Sequence, residues 1–184
     1  MSYPLEYRNE LLRAIDAIDL AKVEEAILWF RVARAEGRTI FVAGNGGSAA
    51  TASHFVCDMV KGASYGRDTR FRALSLNDNL PTLTAYSNDV GYDSVFAEQL
   101  RNFALAGDIF MAISGSGNSP NVVKAMEVAS EMGCRRVALT GRDGGRLGKL
   151  AQLHIHVPVP HMGRIEDAHM IICHMIGYSF MDER

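Results

Sequence analysis

The sequence predicts a three-layer α/β/α domain built on a five-stranded parallel sheet and preceded by two helices. Through the first 37 residues, apolar side chains recur every three or four positions, which is the helical period. After Gly37, five short apolar runs alternate with turns and helical stretches. This alternation is typical of right-handed βαβ crossovers, which bury a parallel sheet between two layers of helices.

The first 37 residues predict two amphipathic helices. Apolar residues from Leu5 to Ile18 share one helical face, and the stretch Ala21–Ala35 repeats the pattern. Asp19 lies between the two stretches and marks the expected break.

The strands of the sheet are predicted from five apolar runs. They are Thr39–Ala43, Phe71–Leu76, Ile109–Ile113, Arg136–Thr140 and Leu153–Val157. No low-complexity segment or linker separates them. We therefore expect one domain over residues 1–184, with a helical extension at 1–37 and a parallel α/β core at 38–184.

Composition narrows the range of partners and locations. Of the 184 residues, 48% are hydrophobic and 22% are charged, and the net charge is −2 without a basic cluster. This composition is typical of a globular protein and argues against nucleic acid as a partner. No apolar run approaches the roughly 20 residues that span a bilayer, and the N-terminus lacks a signal-peptide pattern. We expect no membrane association and a cytoplasmic location.

The loop Gly44–Ser48 (GNGGS) follows the first predicted strand. Its glycines allow the backbone to approach a ligand closely, and the start of the next helix favours an anion. The hydroxyl of Ser48 could donate to a phosphate oxygen, or the loop could be an ordinary turn that Ser48 caps. The spacing matches neither a dinucleotide-binding fingerprint nor a P-loop.

The loop Ser114–Ser119 (SGSGNS) follows the third predicted strand, and Pro120 suits the first turn of a helix after it. Its hydroxyl and N–H groups could replace the hydration shell of a phosphate; the alternative is a flexible Gly/Ser loop. Because parallel strands end at the same edge of a sheet, we expect both loops to lie there and to bind a phosphate.

Four motifs in order resemble the SIS (sugar isomerase) domain family and, within it, the phosphoheptose isomerases. They are GNGGS at 44–48, SGSGNS at 114–119, LTGRDGG at 139–145 and RIEDAHMIICH at 164–174. The resemblance covers nearly the whole chain and implies a flavodoxin-like fold. It also implies isomerisation of a ketose phosphate to an aldose phosphate through an enediol, with sedoheptulose 7-phosphate as the substrate. It further implies a homotetramer with sites between subunits, packed through the extension 1–37, and one zinc ion per site.

The same resemblance assigns roles to individual residues. The implied phosphate and substrate ligands are Asn45, Gly46, Gly47, Ser48, Asp89, Ser114, Ser116, Asn118, Ser119 and Glu166. The implied zinc ligands are His54, Asp58, Glu166 and His174, of which Asp58 and His174 are also the catalytic pair. Two of these implied zinc ligands depart from the family pattern, since Asp58 replaces a glutamate and Glu166 replaces a residue that is usually glutamine.

Helical geometry bears on these assignments. His54 and Asp58 are four residues apart, so they share one face of a helix. Asp167 is nearly eclipsed with His174, whereas Glu166 is turned roughly 80° away from it. The family match therefore favours Glu166 as the inward carboxylate, and the helical wheel favours Asp167.

Simpler structural roles remain for several of these residues. Asp58 could form an ion pair with Lys61 on an exposed helix face, and Asp89 could simply end a helix. We expect His169, on an apolar helix, to be a packed and hydrogen-bonded core residue.

Two other functions fit the same motifs. One is a non-catalytic SIS binding protein that resembles the DnaA initiator-associating protein; the presence of His54, Asp58 and His174 argues for chemistry instead. The other is an isomerase of a different sugar phosphate. Gly115, where the family commonly has threonine, lies in the second loop.

Overall fold

In the computed structural model, which describes residues 2–183, five parallel strands form one sheet in the order β2-β1-β3-β4-β5. The strands are β1 (Thr39–Gly44), β2 (Arg72–Ser75), β3 (Ile109–Ser114), β4 (Arg135–Gly141) and β5 (Leu153–Val157). The predicted fold class is confirmed, and each predicted strand lies within one residue of an observed one at either end.

Within residues 2–183, eight α-helices surround the sheet. They are α1 (Tyr3–Asp16), α2 (Leu20–Glu36), α3 (Gly47–Cys57), α4 (Leu80–Asp89), α5 (Val95–Phe103), α6 (Pro120–Glu131), α7 (Gly145–Leu150) and α8 (Met162–Met181). A π-helical turn at Asp58–Gly62 extends α3, and a 3₁₀ turn at Tyr92–Ser94 precedes α5. No helix within residues 2–183 is long and apolar enough to cross a bilayer.

The sheet buries a separate apolar cluster on each face. On β1, Ile40 and Val42 belong to the cluster beneath α1, α2, α3 and α8, whereas Phe41 and Ala43 belong to the cluster beneath α5, α6 and α7. This alternation follows from the two-residue period of a strand. It gives the three layers that the sequence predicts.

The break predicted near Asp19 is confirmed. The Asp19 carboxylate accepts a hydrogen bond from the Ala21 N–H at 3.1 Å and caps α2, which ends at Gly37 in a left-handed conformation. The N-terminal helices pack on α8 and the sheet of their own chain. For example, the Tyr7 hydroxyl of α1 donates to Asp167 of α8 at 2.7 Å. Their predicted role in oligomer packing stays a prediction, as do the domain bounds.

Strand order reverses between β1 and β3. The chain moves from β1 outward to β2, then crosses to β3 on the other side of β1 and continues outward to β4 and β5. The ends of β1 and β3 are paired at Gly44 and Ile113. Ligands of open parallel sheets bind at such a reversal, and the loops 44–48 and 114–119 both begin there.

The second loop interlocks with the loop that follows β4. The Leu147 N–H donates to the Gly117 carbonyl at 3.0 Å, and the backbone of Gly144 and Gly145 lies directly against Gly117. Gly117 has a φ of 64°, and a Cβ added there would overlap the Gly144 carbonyl oxygen. Glycine is thus required at this position both by conformation and by space.

Gly117→Ala is therefore expected to lower the free energy of unfolding by about 3 kcal/mol in urea denaturation. The left-handed backbone costs about 1–2 kcal/mol for a residue with a Cβ, and the overlap adds about 1–3 kcal/mol. The matched control is Gly37→Ala, which has a similar φ of 66° but nothing within 4 Å of the added Cβ. The free energy of unfolding of this control should fall only by the backbone cost of about 1–2 kcal/mol. Equal losses in the two variants would show that the loop contact is not tightly packed.

Candidate functional site

The two serine-glycine loops enclose a cavity of about 260 Å³ at the strand-order reversal, together with the first turn of α8. Its lining residues are Asn45, Gly46, Gly47, Ser48, Ser114, Gly115, Ser116, Ser119, Met162 and Glu166. Seven of the predicted phosphate-site residues and Glu166 are thus brought together. Of the described residues that line the cavity, none is a lysine or an arginine.

Three hydroxyl groups converge in the second loop. The Ser114 Oγ lies 3.5 Å from the Oγ of Ser116 and 3.5 Å from the Oγ of Ser119, and it accepts a hydrogen bond from the Gly117 N–H at 3.2 Å. Asn118 points away from the cavity. Its side chain accepts from the Arg146 N–H at 3.0 Å and donates to the Ser116 carbonyl at 3.0 Å. It therefore shapes the loop, which is ordered by these contacts and not a flexible linker.

The first loop leads directly into α3. Gly46, with a φ of 55°, is the N-cap residue, and Ser48 is buried within the first helical turn. The alternative in which Ser48 caps the helix is therefore wrong. Ser48 lines the cavity instead.

A side-chain network behind the first loop holds Asn45. Its amide exchanges two hydrogen bonds with the amide of Asn121, at 2.8 and 2.9 Å, and its Oδ1 also accepts from the Tyr92 hydroxyl at 2.9 Å. Neither Asn121 nor Tyr92 was predicted as a site residue. The only sequence signal was Asn121 in the helical turn that begins at Pro120.

The inward carboxylate on α8 is that of Glu166. A Cβ added at Gly47 would lie 2.7 Å from the Glu166 Oε1, so the carboxylate occupies the space that this glycine leaves. Asp167 instead faces α1, where it accepts from the Tyr7 hydroxyl, and this bond raises the pKa of Tyr7 to about 12. The helical wheel placed Asp167 on the same face of α8 as His174. The loops instead contact the face of α8 that carries Glu166, so the wheel argument for Asp167 fails.

The first turn of α8 fits against three loops in the same way. Glu166 lies at Gly47, Met162 at Gly115 and Ile165 at Gly141. None of these three glycines has a positive φ, so a larger residue at each position would meet the α8 side chain and not backbone strain.

His54, Asp58 and His174 form a second group. The two Nε2 atoms are 3.3 Å apart, and the Asp58 Oδ2 lies 3.4 Å from His54 Nε2 and 3.8 Å from His174 Nε2. Asp58 therefore faces the two histidines; the described ion pairs include none with Lys61. Its Oδ2 is buried without a hydrogen-bond partner among residues 2–183.

This group fits a metal ion. Two imidazoles and a carboxylate are a common zinc donor set, and ligands about 2.1 Å from a tetrahedral zinc ion lie about 3.4 Å from one another. A cation would also satisfy the buried Asp58 Oδ2. The donor atoms lie within 4.8 Å of each other and include no atom of Glu166. Three of the four predicted ligands are therefore together, and a ligand role for Glu166 stays a prediction.

Asp89 lies outside the phosphate-loop cavity. It accepts from the Asn88 amide at 2.7 Å and lines a different cavity of about 370 Å³ with Asn79, Tyr86 and Gln99. The predicted contact of Asp89 with the sugar stays a prediction.

His169 is fully buried in α8, as expected of a core residue. Its ring nitrogens make no hydrogen bond of good geometry within residues 2–183, and the polar group that they approach is the backbone of Thr140. Burial lowers the pKa of His169 to about 4, an effect that the nearby backbone of Thr140 only partly offsets. The side chain is therefore neutral at physiological pH.

The fold is that of a SIS domain, and the SIS domain family model matches residues 5–141. The phosphoheptose isomerase of Citrifermentans bemidjiense is 41% identical over 94% of this chain and 89% of its own length. The probable phosphoheptose isomerase of Thermoplasma volcanium is 42% identical over 94% and 86%. The structure of phosphoheptose isomerase GmhA from Neisseria gonorrhoeae is 33% identical with a TM-score of 0.88, covering 96% of this chain and 95% of that one. The chain belongs to the phosphoheptose isomerase family.

Replacing His169 should change how stability depends on pH. The folded-state pKa of about 4 lies below the ordinary value of 6.5, so between these values only the unfolded chain binds the proton. The stability contribution of a neutral His169 is therefore present above about pH 6.5 and is lost as pH falls toward 4. When the pH is lowered from 7.5 to 5, the free energy of unfolding in urea should fall by about 2 kcal/mol less in His169→Leu than in the wild type. Equal losses of unfolding free energy in the variant and the wild type would contradict a buried neutral His169.

Proposed function

We propose that this chain isomerises sedoheptulose 7-phosphate to D-glycero-D-manno-heptose 7-phosphate. The observation that carries the proposal is the spacing of the two site groups along α8. Glu166 lies in the phosphate-loop cavity and His174 in the histidine-carboxylate group, eight residues and about 12 Å further along the helix. With C–C bonds of about 1.5 Å, an extended seven-carbon ketose phosphate is about 10 Å long. Such a substrate can place its phosphate at the loops and its C1 and C2 at the second group.

The loops bind the phosphate without a cationic side chain. The hydroxyls of Ser48, Ser114, Ser116 and Ser119 donate hydrogen bonds, and the N-terminus of α3 adds its dipole. Asn45 and Asn118 hold the two loops in shape. Gly46 and Gly47 let the backbone come close to the ligand.

Asp58 and His174 supply the acid-base chemistry. Asp58 removes a proton from C1 of the ketose to give an enediol, and the return of a proton to C2 gives the aldose. His174 Nε2 faces the same carboxylate, and it either donates a hydrogen bond to the carbonyl oxygen or helps to hold a metal ion.

The ion that fits this group is zinc. His54, Asp58 and His174 would hold it. Glu166, which the family resemblance implies as a fourth ligand, lies among the phosphate loops and not in this group. When bound, zinc supplies Lewis acidity that polarises the substrate carbonyl.

We further propose that the enzyme acts in the cytoplasm as a homotetramer with its sites between subunits. His54 is half exposed and His174 is 41% exposed, so the second group is open to a neighbouring subunit. The extension 1–37 would take part in this packing.

The purified protein should convert sedoheptulose 7-phosphate to the aldose, and NMR measures this conversion. The variant Asp58→Asn should abolish turnover. The variant keeps the shape of the side chain but removes the base and a zinc ligand. Even outer-sphere partners of zinc are worth about 10- to 100-fold in affinity, so loss of this ligand should weaken zinc binding by at least about 100-fold.

Asp68→Asn is the matched control, because Asp68 is an exposed carboxylate in the loop before β2 and belongs to neither group of the site. If the enzyme keeps full activity after a chelator has removed zinc, the role of His174 is to donate a hydrogen bond to the carbonyl oxygen and not to hold a metal ion. No wild-type turnover, with or without zinc, would refute the isomerase and favour a binding protein.

Glu166→Gln should strengthen the binding of inorganic phosphate by about tenfold. The Glu166 carboxylate lines the same cavity as the serines, where its charge repels a phosphate dianion. Glutamine keeps the shape and removes the charge. Isothermal titration calorimetry measures the change.

Asp167→Asn is the matched control for this experiment. It removes a charge from the adjacent residue, which faces Tyr7 and not the cavity. Its phosphate affinity should equal that of the wild type. A gain in Asp167→Asn without one in Glu166→Gln would mean that Asp167 is the inward carboxylate after all.

A further inference from the structure

Met162 is the one residue with an apolar side chain among the described residues that line the phosphate-loop cavity. It is the first residue of α8 and is 36% exposed. The other lining residues are glycines, serines, an asparagine and a glutamate. One wall of an otherwise polar cavity is thus a thioether.

The Met162 side chain occupies the space that a side chain at position 115 would need. A Cβ added at Gly115 would lie 2.5 Å from the Met162 Sδ and 3.3 Å from its Cε. Gly115 does not have a positive φ, so its backbone conformation is open to any residue. A larger residue at this position would therefore have to displace the Met162 thioether.

This wall stands beside the place where a phosphate would be bound. Gly115 lies between Ser114 and Ser116, whose hydroxyls converge in the same loop. The ester oxygen and the first carbon of a phosphate monoester are the atoms next to the phosphate, so a phosphate bound between the loops brings them into the cavity that Met162 lines. A thioether has no proton to donate and is a weak acceptor, so it suits a C–H surface and not a hydroxyl group.

We propose that Met162 is a specificity-determining residue that admits primary phosphate esters, in which a CH₂ group carries the phosphate, and excludes esters whose phosphate-bearing carbon is branched. The proposal rests on the proposed function only in placing the phosphate between the two loops. It does not require that the bound ester be isomerised.

Two isomeric probes test it directly. Glycerol 1-phosphate is a primary ester and glycerol 2-phosphate is a branched one, with the same atoms and the same charge. Calorimetric titration of the wild type should show about tenfold or greater preference for glycerol 1-phosphate, since one carbon in a tight pocket is worth about 10- to 200-fold. Met162→Ala should reduce the preference to within about threefold. Met162→Leu, of similar volume, should keep the preference.

A second comparison tests the packing of the pair. Gly115→Ala in the wild type should displace the thioether and weaken both glycerol phosphates, whereas in the Met162→Ala background the added methyl group has room and should change little. This non-additivity is expected only if the two residues share one space.

The outcomes separate this proposal from the isomerase itself. An unchanged isomer preference in Met162→Ala, equal effects of Gly115→Ala in both backgrounds, or no binding of phosphate esters by the wild type would each overturn the role of Met162. If the wild type shows the preference but does not turn over sedoheptulose 7-phosphate, the isomerase fails and the role of Met162 stands.

Discussion

The site depends on how the first turn of α8 packs against the ends of the parallel strands. Three of its side chains, Met162, Ile165 and Glu166, each fill space beside a glycine of a different loop. A methyl group at Gly47 or Gly115 would collide with the α8 side chain beside it. The loops alone therefore do not form the cavity; they form it with a helix that is far from them in the sequence. The N-terminal helix α1 supports this turn in its own way, because Tyr7 donates to Asp167 on the opposite side of α8.

The sequence predicted the elements that depend on local patterns. Hydrophobic periodicity was enough for both N-terminal helices and all five strands, and the position of the two loops followed from the rule that parallel strands end at one edge. The pairing of His54 with Asp58 followed from helical spacing, and the match of motifs brought in His174.

The rest depended on which helix face meets which loop, and a single sequence does not contain that information. The wheel compared Asp167 with His174 and favoured Asp167, but only tertiary packing decides that Glu166 faces Gly47. For the same reason Gly115 could not be explained from sequence, since the side chain that fills the space beside it belongs to Met162, 47 positions later. Asn121 and Tyr92 were missed because their only link to the site is hydrogen bonding to Asn45.

The two departures from the family pattern now have separate physical meanings. Asp58 lies in a group whose donor atoms already have the spacing of metal ligands, so its shorter side chain is compatible with that geometry. Glu166 lies at the other end of the site, among hydroxyls that are suited to a phosphate dianion, where its charge opposes the ligand. Under the proposed function, the first departure would bear on the reaction at C1 and C2, and the second on the affinity for the phosphate. Because α8 contributes Glu166 to one group and His174 to the other at a fixed helical spacing, the proposed site would select its substrate by length as well as by charge.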